Sequence, residues 1–244
     1  MSLQKICKKF LPKIVKEKII EFRNNNLDGY ATKSYSQEGE DMILRRLFGG
    51  QKFGFYVDVG AHHPKRFSNT YYFYKKGWRG INIDAMPGSM IAFDKFRPRD
   101  INIEKPISDK KQILTYYAFN EPALNTFSKE LAVEYEKENY FIKFTRDIET
   151  TTLEDVLDRN LPKNQDIDFL SVDVEGLDFM VLKSNNFEKY KPKIVLIEIL
   201  GNSFSEIENN KIADYLRQCG YSIFAKTVNT VFFINNGFKK DKPL

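Results

Sequence analysis

Histidine and cysteine are scarce in this chain of 244 residues, with two of each. Cys7 and Cys219 lie far apart, and neither has thiol or imidazole neighbours at metal-ligand spacing. A disulfide framework or a zinc site is therefore not expected. The chain reads as a reduced, cytoplasmic protein. No uninterrupted apolar run reaches the ~18 residues of a membrane span. The opening MSLQKICKKFLPK is broken too often by lysine to be a secretory signal. There is also no Gly-x-Gly-x-x-Gly, the fingerprint of a dinucleotide site.

What is present suits a folded α/β domain with a small appendage. Hydrophobic residues make up 42% and charged residues 29% of the chain, which excludes collagen, coiled coil and wholesale disorder. The net charge of +5 is unevenly placed. Residues 1–23 carry Lys5, Lys8, Lys9, Lys13, Lys16, Lys18 and Arg23 against only Glu17 and Glu21. That segment holds the whole excess, and the remainder is neutral on balance. Nucleic acid is not an expected partner, because the main domain has no basic surplus to follow a phosphate backbone. Pro12 suits the first turn of a helix running to about Arg23, with Ile14, Val15, Ile19 and Phe22 among its apolar positions. A basic amphipathic helix of this kind either docks on protein or lies on the inner membrane face as a peripheral contact.

Asn24–Asn26 and Asp28-Gly29 mark a linker. We divide the chain into a helix and linker over 1–33, one α/β domain over 34–238 and a short tail over 239–244. In the domain, Ser36 is expected to cap a helix ending at Gly49-Gly50. Strands are expected at Phe55–Val59, Gly80–Asp84, Ile101–Glu104, Ile167–Val174 and Ile194–Leu200. Helices are expected at Asn69–Lys76, Ser89–Arg97, Ser128–Asn139, Asp178–Ser184 and Glu206–Gln218, with a capping box at Thr151 and Glu154 opening another. Ile113–Phe119 reads as an extra strand, and Ala118–Asp147 as a lid over an acceptor site. Tyr221–Ala225 and Thr230–Ile234 form a closing hairpin. The alternation predicts a Rossmann-like, mostly parallel sheet with helices on both faces and an antiparallel finish.

Ligands of such sheets sit at the carboxyl ends of the strands. Those ends carry Asp58, Gly60, Ala61 and His62, then Asp84 and Ala85, then Ser108 and Asp109, then Asp173 and Glu175, with Glu198 alongside. Gly60 lets a backbone approach a ligand closely. Asp84 stands where an acidic group takes ribose hydroxyls. His62, His63 and Pro64 occupy the places where glycines would cradle a pyrophosphate. A cofactor with adenosine and no phosphate fits better, and S-adenosylmethionine is such a cofactor. We expect Asp58, Gly60, Ala61, Asp84, Ala85, Ser108, Asp109 and Asp173 to bind it.

Several segments together resemble the FkbM family of S-adenosylmethionine-dependent methyltransferases. They are Tyr35–Asp41, Tyr56–His62, Ser68-Asn69-Thr70 with Gly77-Trp78, Gly80–Asp84, Thr152–Asp155 and Ile167–Gly176. The resemblance covers about residues 34–235. It implies a class I methyltransferase fold with a seven-stranded sheet, and O-methylation of a hydroxyl, often on a sugar, a glycan precursor or a polyketide. Asp84 departs from the Glu often found there, but either carboxylate can hold a ribose. The acceptor expected here is a small molecule or a glycan or glycolipid precursor.

The chemistry would be in-line displacement, with a substrate hydroxyl attacking an activated methyl group. Alignment can supply about 7–11 kcal/mol, and a placed base about 10²–10⁴-fold. Asp173, Glu175 and His62 are the catalytic candidates. Asp173 could instead hold the cofactor's amino group, and His62 could simply shape its pocket. Asp173, Glu175 and Glu198 could alternatively hold a Mg²⁺ ion against two sugar hydroxyls. Two other readings differ in kind. A scaffold domain anchored by its basic tail would show no turnover. A nicotinamide-dependent reductase would need a glycine fingerprint and a Tyr-x-x-x-Lys pair. Tyr71 with Lys75 and Tyr72 with Lys76 lie too early for that role.

Overall fold

The computed structural model describes residues 12–201 and 203–238. Lys5, Lys8, Lys9, Cys7, Asn202 and the tail 239–244 lie outside them. The chain divides into two units, residues 1–34 and 35–244. In the first, helix α1 (Lys13–Asn26) follows Pro12, which stands just before the helix and not inside its first turn. None of its residues is buried.

The second unit begins with α2 (Glu40–Leu47). This helix starts three residues later than a Ser36 cap suggests, because Gly39 takes a left-handed conformation (φ +89°) as its cap. Ser36 is still engaged, its hydroxyl accepting the Asp41 N–H at 3.1 Å. Strand β1 (Phe55–Val59), helix α3 (Tyr71–Lys75), β2 (Arg79–Asp84), α4 (Ser89–Phe96) and β3 (Ile101–Glu104) follow. Next come β4 (Ile113–Phe119), a 3₁₀ turn at Pro122–Leu124, α5 (Lys129–Lys137) and β5 (Ile142–Glu149). The domain closes with α6 (Leu153–Asn160), β6 (Phe169–Val172), α7 (Asp178–Lys183), β7 (Ile194–Glu198), α8 (Phe204–Glu208), α9 (Lys211–Gln218), β8 (Tyr221–Lys226) and β9 (Thr230–Asn235).

The main sheet has seven strands in the order β3-β2-β1-β6-β7-β9-β8. All neighbours are parallel except β7 with β9 and β9 with β8. The chain winds outward from β1 to β3, then returns to start again at β6 beside β1. The topological switch point therefore lies between β1 and β6, where a crevice opens at the carboxyl ends.

Both faces of the central strands are buried, as expected for parallel strands covered by helices. Phe55, Val57, Val59, Leu170, Val172, Val195 and Ile197 point to one side, where they meet Leu153, Leu157, Val181, Leu182 and Leu216 of α6, α7 and α9. Tyr56, Phe169, Ile194 and Leu196 point to the other, against Leu44 and Leu47 of α2, with Phe73 and Trp78. Each large apolar side chain so buried contributes about 1.5–3 kcal/mol.

Three local readings are corrected by the fold, and one strand is added. The cap of α6 is Thr152, whose hydroxyl accepts the Asp155 N–H at 3.1 Å. Thr151 is held extended instead, bridged to Ile107. The helix expected over 206–218 breaks in two, because the Asn210 side chain caps α9 by accepting from the Ile212 N–H. The strand expected to reach Val174 stops at Val172, where Asp178 draws the chain into a turn by accepting the N–H groups of Val174 and Gly176, each at 3.1 Å. Finally, the segment read as a lid contains α5 and the unforeseen strand β5, which pairs antiparallel with β4 as a separate two-stranded sheet. Most of β5 is exposed, so it lacks the apolar alternation that reveals a strand.

Candidate active site

A cavity of about 1130 Å³, its open mouth included, lies at the carboxyl ends of β1, β2, β6 and β7. Val59, Gly60 and His62 line it from the end of β1, and Asp84, Ala85 and Met86 from the end of β2. Asp173 and Glu175 follow β6, and Glu198 ends β7. Three further segments contribute to the wall. Gln37, Glu38 and Glu40 precede or open α2, Asn229 and Thr230 belong to the final hairpin, and Tyr116 and Asn125 come from the β4–β5 insert.

The turn after β1 is drawn tightly against β6. Gly60 has φ +83°, and a Cβ there would stand 1.6 Å from the carbonyl oxygen of Asp173. Only glycine fits this crossing. The amides of the turn are engaged within the protein. Gly60 and Ala61 donate to the Ile83 carbonyl at 2.9 and 3.1 Å, and His63 donates to the Ala61 carbonyl. His62 donates its N–H to Asp84 Oδ2 at 2.8 Å. No nest of amides from these residues is left to cradle a pyrophosphate.

Asp84 is fixed by that bond and by a second, from the Met86 N–H to Oδ1 at 2.8 Å. Each carboxylate oxygen retains a lone pair for a further donor. Burial raises the pKa of Asp84, and the two amides work against that rise. The arrangement suits a vicinal diol such as a ribose.

Carboxylates dominate the wall. Among the described lining residues, Glu38, Glu40, Asp84, Asp173, Glu175 and Glu198 face a single lysine, Lys105. Burial raises Asp173 well above the ordinary carboxylate range, and the neighbouring charges of Glu198, Asp178 and Glu175 push it further. Burial raises Glu175 too, against a 2.9 Å hydrogen bond donated by Tyr135 to its Oε2. Glu198 is pushed up to about 7 by burial and by the charges of Glu175, Asp178 and Glu38. Glu38 accepts from the Thr227 hydroxyl and the Asn229 N–H, both at 2.8 Å. Glu40 accepts from the Thr230 hydroxyl at 3.2 Å. The pKa of His62 is lowered by burial and by nearby Arg66, so its ring is neutral near pH 7. His62 and Glu175 both hold the left-handed backbone, at φ +52° and +51°. Strained residues of this kind cluster at functional sites.

Of the expected site residues, Gly60, His62, Asp84, Ala85, Asp173 and Glu175 are brought together around the cavity. Asp58, Ala61, Ser108 and Asp109 do not line it. Asp58 shares the strand face of Tyr56 and turns away from the cavity to accept from the Thr70 hydroxyl at 2.9 Å. Thr70 in turn accepts from Arg97 Nη1, and Arg97 pairs with Asp100 at 2.8 Å with both side chains fully buried. Ala61 packs against Met90 and Phe93. Ser108 is buried and donates its hydroxyl to Asp109 at 3.3 Å. Glu38, Glu40, Asn229 and Thr230 were not expected as lining residues. Glu38 and Glu40 fall in the Tyr35–Asp41 segment that carried the family resemblance. Nothing in the hairpin's own sequence marks Asn229 or Thr230. Among the described residues no three of His, Cys, Asp or Glu are arranged to hold a metal ion, so Mg²⁺ gains no support.

A cavity with no phosphate cradle and a surplus of carboxylates repels a dinucleotide. It suits a ligand with a neutral adenosine and positive charge at a sulfonium and an ammonium. With this strand order and an acidic residue ending β2, these features define the class I S-adenosylmethionine-dependent methyltransferases. The methyltransferase FkbM domain matches residues 58–223, and the chain belongs to that family. No curated protein matches the chain in sequence. Among solved structures it is similar to a TehB-like SAM-dependent methyltransferase from Corynebacterium glutamicum. Their identity is 10% and the TM-score 0.41, over 91% of this chain and 100% of the other. It is also similar to an O-methyltransferase from Bacillus cereus in complex with SAH, with 9% identity and a TM-score of 0.34, over 94% of each chain.

Proposed function

We propose that the chain methylates a hydroxyl of a sugar or of a glycan or glycolipid precursor, with Glu198 as the general base. The observation that carries this reading is the state of Glu198. It lines the cavity, no described protein group donates a hydrogen bond to it, and its carboxyl titrates at about 7. A base is most effective when its pKa lies near the working pH.

The cofactor supplies a methyl carbon already activated by positive sulfur. Asp84 would hold its ribose hydroxyls, Gly60 would allow close approach beside β1, and Asp173 would receive its ammonium group. A hydroxyl oxygen of the acceptor would form the new bond to the methyl carbon as the methyl–sulfur bond breaks and its electron pair stays on sulfur, which leaves as a neutral thioether, and the hydroxyl proton would pass to Glu198. His62, Glu175 and Asp173 remain alternatives as base. His62 is neutral near pH 7 and so able to accept a proton.

The rest of the wall supports a polyhydroxylated acceptor. Gln37, Asn69, Asn229 and Thr230 bring neutral hydrogen-bonding groups to the same cavity as Glu38 and Glu40. The carboxylate surplus disfavours phosphorylated acceptors.

Transfer of labelled methyl from S-adenosylmethionine to a panel of neutral sugars, followed across pH, tests the proposal. The rate should rise through about pH 7, and Glu198→Gln should lose about 10²–10⁴-fold. A methyl group found on nitrogen, or an undiminished Glu198→Gln variant, would overturn it.

A further inference from the structure

Helix α1 segregates its charges more sharply than its composition suggests. At about 100° per residue, Val15, Ile19 and Phe22 form one stripe at i, i+4 and i+7. They are 39%, 50% and 60% exposed. Lys18 borders the stripe on one side, and Lys16 and Arg23 on the other. Glu17 and Glu21, the only acids of the helix, fall on the far side with Lys13, which pairs with Glu17. The charged groups bordering this stripe are thus all cations, while Ile14 and Ile20 lie outside it toward the far side. Long basic side chains so placed can lay their stems along an apolar surface while their charges reach outward. The sequence before the helix, residues 1–11, adds Lys5, Lys8 and Lys9 and no acid.

We propose that this face of α1 docks on an anionic lipid bilayer, lying in the interface with the stripe inserted and the lysines at the headgroups. Charge complementarity selects lipid over a neutral protein groove, since cations on both edges match a uniformly negative plane. No helix among the described residues is long and apolar enough to cross a membrane, so this helix lies on the surface. The inference stands apart from the acceptor reading, because none of the residues it uses lines the cavity.

Cosedimentation of the full chain with vesicles tests it. One set contains phosphatidylglycerol in phosphatidylcholine and the other phosphatidylcholine alone. Anionic vesicles should bind at least about tenfold more protein, and added salt should release it. Phe22→Glu, in the stripe, should abolish binding, whereas Glu21→Gln, on the far side, should leave it intact or strengthen it. S-adenosylhomocysteine binding by each variant reports that the domain remains folded, and a wild-type chain that fails to bind it would count against the enzymatic reading alone. Equal binding to both vesicle sets, no binding to either, or normal binding by Phe22→Glu would overturn the lipid proposal. So would self-association without lipid that Phe22→Glu removes, because a second copy of the chain would then be the partner.

Discussion

Tyr135, on the β4–β5 insert, donates its phenol proton to Glu175 Oε2 at 2.9 Å, on the turn that follows β6. A second link joins the same two segments, the Thr126 hydroxyl donating to the Glu175 carbonyl at 2.6 Å. The insert is therefore fastened to the wall of the cavity at two points. Tyr135→Phe leaves the Glu175 carboxyl without its donor and should destabilise the domain by about 1–3 kcal/mol. Amide hydrogen exchange across residues 113–149 should speed up more than exchange in β1 or β6.

Gly60 provides a sharper test. An added Cβ would collide with Asp173 backbone at 1.6 Å, and φ is +83°. Gly60→Ala should cost more than about 3 kcal/mol and abolish cofactor binding, since the clash adds to left-handed strain. Gly77 also has positive φ, at +99°, but nothing lies within 4 Å of its would-be Cβ. Gly77→Ala should cost only about 1–2 kcal/mol. Urea denaturation of the two variants separates collision from strain.

The two strand-end aspartates should part company under mutation. Asp84→Asn replaces an acceptor pair at the cavity and should weaken S-adenosylhomocysteine binding at least about tenfold, with a modest effect on stability. Asp58→Asn disturbs the buried Thr70–Arg97 network. It should lower the melting temperature while changing affinity less than about threefold. Calorimetric titration and thermal melts of both variants give the comparison.

Glu198 makes stability depend on pH. Its folded carboxyl holds a proton up to about 7, whereas the ordinary value is 4.5. The folded state binds the proton more tightly, so the stabilisation is complete below about 4.5. It is lost as pH rises through about 7, by about 3 kcal/mol at most. Glu198→Gln should flatten that slope in denaturation curves measured across this window.

The three strands β1 to β3 and the closing hairpin were legible because each is a short apolar run bounded by turn residues. The strand ends then located the crevice. What escaped depended on direction and distance. Asp58 and Asp84 look equivalent in sequence, yet one falls on the α2-facing side of its strand and the other projects from a strand end into the cavity. Strand β5 was hidden because its faces are mostly wet. Glu38 and Glu40 read as ordinary acids in the first turn of a helix, since their partners Thr227 and Thr230 come close only after the sheet has formed.

That last pairing constrains the order of events during synthesis. The Glu38–Thr227 hydrogen bond joins residues 189 positions apart, a stretch that takes about 10–40 s to translate at typical rates. Until the hairpin emerges, β7 lacks its antiparallel neighbour and the cavity lacks the wall formed by Asn229 and Thr230. A nascent chain on the ribosome therefore has β1, β2 and their acidic ends well before it has a closed pocket. Catalytic competence waits for β9, the last strand of the sheet to emerge.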